Sequence, residues 1–244
     1  MSSIQQLICA DNLKYIENMD SDSVDLIYFD PPFNITATKY DEIPLQWDLL
    51  WTEMWRVLKS DGAVVIHSSH TFTYELIFTQ RKHYRYNWYW NKDCCPTGHL
   101  WSKKQPMRVV EEICVFYKKH GTYNPQMTKR EVPLKVKGHT NDSHYYGKQS
   151  SCEDTTYTHR YPVHNLKFKR RKHKYSTRPV SLCEYIIKTY TNEGEMVLDL
   201  TCSDGQSAIA CRNLNRDYIG IDIEPKHIED AKTNYAKDSD IIII

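Results

Sequence analysis

Apolar residues occur in short blocks separated by polar turns, and the spacing inside each block predicts its element. Val24-Asp25-Leu26-Ile27-Tyr28-Phe29 is a near-continuous apolar run with the length of a buried strand. Residues 7–10, 63–66, 113–117, 196–200 and 218–222 read the same way, and the aromatic stretch 86–90 reads as an extended strand. Helical patterns lie between them, over 13–19, 49–58, 72–80, 208–214 and 225–237. A further helix starts at Arg178-Pro179, where a first turn tolerates proline. In 49–58, Leu50, Met54, Val57 and Leu58 share one side. Lys59-Ser60-Asp61-Gly62 reads as the break after that helix. Residues 37–45 read as polar and mobile, and 118–160 shows no firm period. That second stretch is either a recognition region or a partly disordered insertion. Strands alternating with helices predict an α/β fold with a mostly parallel sheet.

Two strand ends carry candidate chemistry. The first is Asp30-Pro31-Pro32-Phe33-Asn34, directly after 24–29. The prolines end the strand and stiffen the turn beyond it. A carboxylate, a ring and an amide then stand at the carboxyl end of a strand, where open α/β sheets place ligands. Such a set suits a planar, amine-bearing substrate: Asp30 accepts from an exocyclic NH2 and Phe33 stacks on the ring. The alternative is a turn that needs Pro and Asn for shape alone. The second is the strand 196–200, the small-residue loop 201–207 (Thr201, Ser203 and Gly205 among its members), a helix, and a strand ending in Asp222. This is how a fold holds a nucleoside-bearing cofactor, the loop around its middle and the acid on its ribose hydroxyls. Gly205 is the loop's one glycine, so the glycine pattern is thin. Asp11 reads first as the cap of the helix over 13–19.

Length and composition narrow the class. With 244 residues, 40% hydrophobic and 26% charged, the chain has room for one large α/β domain with an insertion, or for two small domains. The formal net charge of +1 hides an asymmetry: residues 118–178 hold 15 Lys and Arg against 4 Asp and Glu. An acidic body with a basic middle suits contact with nucleic acid. The densest run, Phe168 to Lys174, includes Arg170, Arg171 and Lys172 and reads as a phosphate contact, with a solvated loop as the alternative. Eight cysteines are present without a CxxC pair, which argues against structural zinc. The lack of a leader-like or long apolar stretch suggests a reduced, soluble, intracellular protein.

Together these residues resemble the DNA amino-methyltransferases that use S-adenosylmethionine, in the group whose catalytic motif precedes the cofactor motif. Asp30-Pro31-Pro32-Phe33 matches the family's catalytic DPPY/F tetrapeptide, 169 residues before Asp199. Asp199 to Ser207 stands where the family has its DxxxGxG loop, and Gly220-Ile221-Asp222 matches the strand ending in the ribose acid. Ala10-Asp11-Asn12 looks like the GD motif, and Ser176-Thr177-Arg178-Pro179-Val180 takes the place of TQKPV. Residues 90–126 and 161–168 look like those of small phage or prophage adenine methyltransferases.

The resemblance implies a Rossmann-like methyltransferase sheet, mostly parallel with an antiparallel edge strand and an inserted target-recognition region. It implies a catalytic half over 1–90, recognition over 91–172, and a cofactor half over 173–244. The implied reaction carries a methyl group from S-adenosyl-L-methionine to N6 of adenine in double-stranded DNA. Asp30, Pro31, Pro32 and Phe33 would be catalytic. Asp11, Asp199, Thr201, Ser203, Gly205 and Asp222 would hold the cofactor. Asn34, Lys92, Lys103, Lys104, Arg170, Arg171 and Lys172 would face the substrate DNA. No metal and no membrane are implied. A homodimer is a family precedent, and the setting is the cytoplasm of a bacterial or phage-infected cell. N4-cytosine methylation is the alternative chemistry, and a degenerate DNA-binding protein the alternative class. The last is motivated by two departures: Ser203 stands at the pattern's first loop glycine with Asp204 as the residue between the glycines, and Thr177-Arg178 replaces Gln-Lys. A serine there crowds the cofactor, and Asp204 puts negative charge near a methionine carboxylate.

Overall fold

The computed structural model describes residues 4–35, 41, 43–92, 95–138, 142–143, 145, 147–148, 153–170 and 178–237. In chain order the elements are β1 (Gln5–Cys9), α1 (Asn12–Ile16), β2 (Val24–Phe29), α2 (Trp47–Val57), β3 (Leu58–Ser68), α3 (Thr71–Thr79), β4 (Tyr84–Asn91), β5 (Val110–Phe116), β6 (Thr128–Val136), β7 (Asp142–Ser143), β8 (Gly147–Lys148), β9 (Thr155–Arg160), β10 (Asn165–Lys167), α4 (Val180–Tyr190), β11 (Met196–Asp199), α5 (Gln206–Asn213), β12 (Asp217–Asp222) and α6 (Pro225–Lys237). The chain divides into two compact units, residues 1–124 with 164–244, and residues 125–163.

The larger unit holds an eight-stranded sheet in the order β1-β12-β11-β2-β3-β5-β4-β10. The strands run parallel except β5, which opposes both β3 and β4. The reversed strand lies towards one end of the sheet, with β4 and β10 beyond it. Parallel strands need crossovers that lay helices on both faces. On one face Leu26, Tyr28, Val65 and Val197 pack with Leu182 and Ile186 of α4 and Ala210 of α5. On the other, Ile27, Phe29, Val64 and Ile66 pack with Leu50, Trp51 and Met54 of α2 and Leu76 of α3. Successive residues of β2 and β3 thus serve opposite faces. Burial on both sides is why these strands read as unbroken apolar runs.

The break expected at 59–62 is instead the first part of β3. Leu58 is already extended, at φ −74° and ψ 131°, so the strand begins where α2 stops. Leu58 pairs with Val24, a bulge follows in the register against β2, and the Lys59 ammonium lies 2.8 Å from Asp25. Gly62 is needed for close approach rather than for a turn: its bare backbone passes the Asp25 carbonyl.

In the smaller unit β6 and β9 pair antiparallel, and β7 pairs with β8. Every described residue of β9 is exposed, and most of β6. A ribbon wet on both faces has no apolar alternation, which is why residues 118–160 show no period. Among the described residues no helix is long and apolar enough to cross a membrane.

A Cβ at Gly62 would sit 2.8 Å from the Asp25 carbonyl oxygen and 2.7 Å from Leu58 Cδ1. Gly62→Ala should therefore cost about 1–3 kcal/mol, seen as a lower midpoint in urea denaturation. An unchanged midpoint would mean that β2 and β3 part freely here.

Candidate active site

β2 delivers Asp30 to the carboxyl edge of the sheet, beside the end of β11. The Asp30 N–H donates to Thr201 Oγ1 at 3.1 Å, and the Thr201 hydroxyl donates to the Asp30 carbonyl at 3.0 Å. Pro31 and Pro32 carry no N–H, so no further strand bonds form. The Phe33 ring stacks on Phe72 with centroids 5.3 Å apart. Asn34 takes a left-handed φ of 55°, a shape asparagine adopts more readily than most residues. The N–H groups of Phe33, Asn34 and Ile35 then all donate to the Asp41 carboxylate, at 2.6, 2.8 and 2.7 Å. Asp41 is buried. It fixes the loop after Asp30, and the sequence offers no signal for it beyond an acid in a polar stretch.

Asp30 is one end of a buried charge network. Arg178 donates from Nη2 to Asp30 Oδ1 at 2.8 Å, and its Nη1 lies 3.1 Å from Glu111 Oε2. Lys92 holds the other Glu111 oxygen at 2.7 Å. Arg178 Nε donates to His67 Nδ1 at 3.2 Å. That bond fixes the His67 tautomer: Nε2 carries the proton and donates to the Tyr28 hydroxyl at 2.6 Å. Burial, with Arg178 beside it, holds His67 well below its ordinary pKa, and so neutral. Burial alone would raise Glu111, but Arg178 and Lys92 hold it below the usual range. Burial pushes Asp30 up to about 6, against the pull of Arg178 and with a push from Glu111. The site thus keeps one carboxylate firmly ionised and a second poised near neutrality. The Arg178 guanidinium also lies over the Trp90 ring at 5.4 Å.

The second strand end is a loop of unusual backbone. Ser203 and Gly205 have left-handed φ values of 47° and 83°. For serine this conformation costs roughly 1–2 kcal/mol. Part of the compensation is the Ser203 N–H, which donates to Asp222 Oδ2 at 3.0 Å. Asp222 Oδ1 accepts from the Glu224 N–H at 2.9 Å and lies 3.1 Å from His227 Nδ1. Asp199 accepts from the Thr201 N–H at 3.0 Å and from the Ser207 hydroxyl. Burial pushes it up to about 7 despite those bonds. Asp204 is fully buried, with one oxygen 3.2 Å from Gln206 Nε2 and its carbonyl bonded by Asn234 of α6. Its side chain is thus enclosed by the protein beneath the loop.

A cavity of about 330 Å³ runs along these strand ends, lined by Asp11, Asn12, Pro32, Thr201 and Ile223 among others. This is within the range of small-molecule pockets, about 300–1,000 Å³. Asp11 both lines it and caps α1, accepting from the Lys14 N–H at 3.0 Å. The cavity therefore brings Asp11, Thr201 and Pro32 onto one surface.

The remaining predicted residues divide. Lys92 is 1% exposed and spent on Glu111, so it faces the interior rather than a phosphate. Lys103 and Lys104 are exposed on the loop between β4 and β5. Arg170 is half-buried and acts electrostatically on Glu111. Arg171, Lys172 and Thr177 lie outside the described residues. Among the described residues no group of three His, Cys, Asp or Glu side chains could hold a metal ion.

An open, mostly parallel sheet flanked by helices, with acids at its carboxyl edge, is a Rossmann-like methyltransferase fold. A model of the DNA methylase family, N6_N4_Mtase, matches residues 24–233, and the chain belongs to that family. The type II methyltransferase M.HpaI of Haemophilus parainfluenzae is 28% identical, over 93% of this chain and 73% of its own length. M1.MboII of Moraxella bovis is 23% identical, over 95% of each chain. Among solved structures, the cytosine-N4-specific PvuII DNA methyltransferase has a TM-score of 0.66 at 14% identity, covering 96% of this chain and 87% of that one. The M1.HpyAVI–SAM complex has a TM-score of 0.61 at 23% identity, covering 94% and 98%. The likeness to both structures is one of fold.

Removing the Asp41 carboxylate leaves three backbone donors of the loop after Asp30 without their acceptor. Each bond to a charged group is worth about 1.5–3 kcal/mol. Asp41→Ala should speed amide hydrogen exchange at Phe33, Asn34 and Ile35 by an order of magnitude or more while exchange in β2 stays slow. Unaltered exchange at those three amides would mean the prolines hold the loop unaided.

Proposed function

We infer that this protein transfers a methyl group from S-adenosylmethionine to N6 of adenine in double-stranded DNA. The observation that carries the reading is that Pro32 of the Asp30-Pro31-Pro32-Phe33 tetrapeptide lines the cavity together with Asp11 and Thr201, and that Thr201 is bonded both ways to the Asp30 backbone. The residues fit the cofactor. Asp222 already uses three of roughly four acceptor positions on bonds that orient it, which leaves one for a ribose hydroxyl. Asp11 and Ile223 of the cavity lining suit an adenine edge and face. The bound cofactor supplies a methyl group on a sulfonium, which is already an activated leaving group.

The chain's own residues do the rest. The target amine cannot reach the cavity from inside a duplex, so the base is drawn out. Phe33, backed by Phe72, stacks on it. Asp30 and the Pro31 carbonyl accept from the NH2 and draw its lone pair out of conjugation. Arg178 on Oδ1 fixes the direction in which Asp30 accepts. Orientation and charge stabilisation of this kind are the main contributions needed. Lys103, Lys104 and the basic segment with Arg170, Arg171 and Lys172 contact phosphates, and the region over 91–172 reads the target.

Methylation of the same pocket's other candidate, the N4 amine of cytosine, is the second reading; the matching family, N6_N4_Mtase, carries both amines in its name. Nucleoside analysis of DNA methylated by the pure protein decides: N6-methyladenine supports the first reading, N4-methylcytosine the second. Neither product, with no heat on titration with S-adenosylmethionine, would leave a DNA-binding protein that kept the fold. Asp30→Ala should lower kcat by about 10²-fold or more with cofactor affinity retained.

Asp30 must be ionised to accept from the amine, and its folded pKa lies at about 6. The rate should therefore fall as pH drops through about 6. Arg178→Met removes the charge that lowers this pKa, so the acid limb of kcat/KM should move to higher pH. A limb that stays in place would separate it from Asp30.

A further inference from the structure

The loop between β4 and β5 leaves the sheet at the same end as Asp30, because β4 and β2 point the same way. Its two sides are joined by backbone bonds between Thr97 and Arg108, at 2.8 and 2.9 Å. Lys92 lies 3.2 Å from Thr97 Oγ1 while it holds Glu111, and Glu111 is paired with Arg178, which holds Asp30. The foot of the loop is thus tied to the Asp30 carboxylate through buried ion pairs. At its tip Gly98, with φ 89°, starts a single 3-10 turn over His99–Trp101. The turn throws Leu100 and Trp101 outward, 84% and 55% exposed. The Lys104 and Gln105 N–H groups donate to the Trp101 carbonyl at 2.8 and 3.0 Å, and the Lys104 ammonium lies 5.1 Å from the indole centroid. Residues 95–109 carry Lys103, Lys104 and Arg108 and no acid.

We propose that this tip is a wedge for duplex DNA. Leu100 enters the base stack at the place left by the base drawn to Asp30, Trp101 lies against the neighbouring base pair, and Lys103 and Lys104 hold the flanking phosphates. The proposal rests on the methyltransferase reading above. An extruded base leaves an apolar gap between stacked pairs, and an exposed leucine beside an aromatic ring is the chemistry that fills one. The charge around the tip is complementary to a phosphate backbone. Because the foot of the loop is fixed to Glu111 and Arg178, entry of Leu100 and capture of the base at Asp30 are geometrically coupled.

The test compares wild type with the double variant Leu100→Ala/Trp101→Ala, whose changes are at the surface. The target sequence is first read from the modified bases in DNA of cells expressing the protein. On a duplex with the target base paired, the variant should lose about tenfold or more in kcat/KM. On the same duplex with the target base mismatched, where extrusion is easy, most of the loss should be recovered. Equal loss on both duplexes, or no loss on either, overturns the wedge and leaves methyl transfer standing. A binding measurement is independent of turnover. Wild type should bind a duplex with one abasic site more tightly than the intact duplex, and the variant should bind the two alike. If wild type methylates no DNA, the enzymatic reading fails, and this binding comparison alone decides. No abasic preference in wild type overturns the wedge.

Discussion

The active edge of the sheet depends on one buried guanidinium. Arg178 meets Asp30 after β2, His67 in β3 and Glu111 in β5, and through Glu111 it meets Lys92 after β4. Four strand ends are thereby held to one cation that arrives from the segment before α4. Taking such charges out of water costs several kcal/mol each, and only mutual pairing offsets it. Burial raises Asp30 to about 6 against the pull of Arg178, while Arg178 and Lys92 keep Glu111 firmly ionised. An oriented carboxylate that is still ionised at neutral pH, and titrates just below it, is the outcome of that balance.

The second strand end relies on backbone shape more than on charge. Ser203 occupies a left-handed conformation that glycine would take without strain, and the N–H it presents to Asp222 shows what the conformation is for. Gly205 is less replaceable: its left-handed φ coincides with close approach to Ala231 of α6, 3.0 Å from where a Cβ would stand. Loop, acid and final helix are packed as one piece.

Features suited to the substrate are distributed differently. The groups around Asp30 are rigid, because Thr201, Asp41 and Phe72 fix Asp30, its loop and Phe33 from three directions. The surfaces suited to DNA are exposed: the tip at Leu100 and Trp101, and the basic, two-sided ribbon of β6 and β9. A rigid pocket and wet, cationic surfaces fit a substrate whose backbone is bound in solvent and whose base is handled away from it.

The order of residues was enough to locate most strands and helices, the parallel sheet and the two acids at strand ends. Each of these depends on residues close together in the chain, where a strand buried on both faces is an apolar run and a proline pair after it is a stop. The family tetrapeptide at Asp30 was legible for the same reason. Where the charges go emerged from long-range packing alone. Lys92 looks like a surface cation in sequence and is a buried partner of Glu111; Asp204 looks like a cofactor-facing acid and is turned inward; Asp41 looks like loop filler and binds three N–H groups. Residues 59–62 look like a turn and form a strand, because their partners in β2 lie more than thirty residues earlier. The division has one physical cause. Burial and secondary structure follow local pattern, whereas the direction of a charged side chain is set by whichever opposite charge or hydrogen-bond donor the fold brings within about 3 Å.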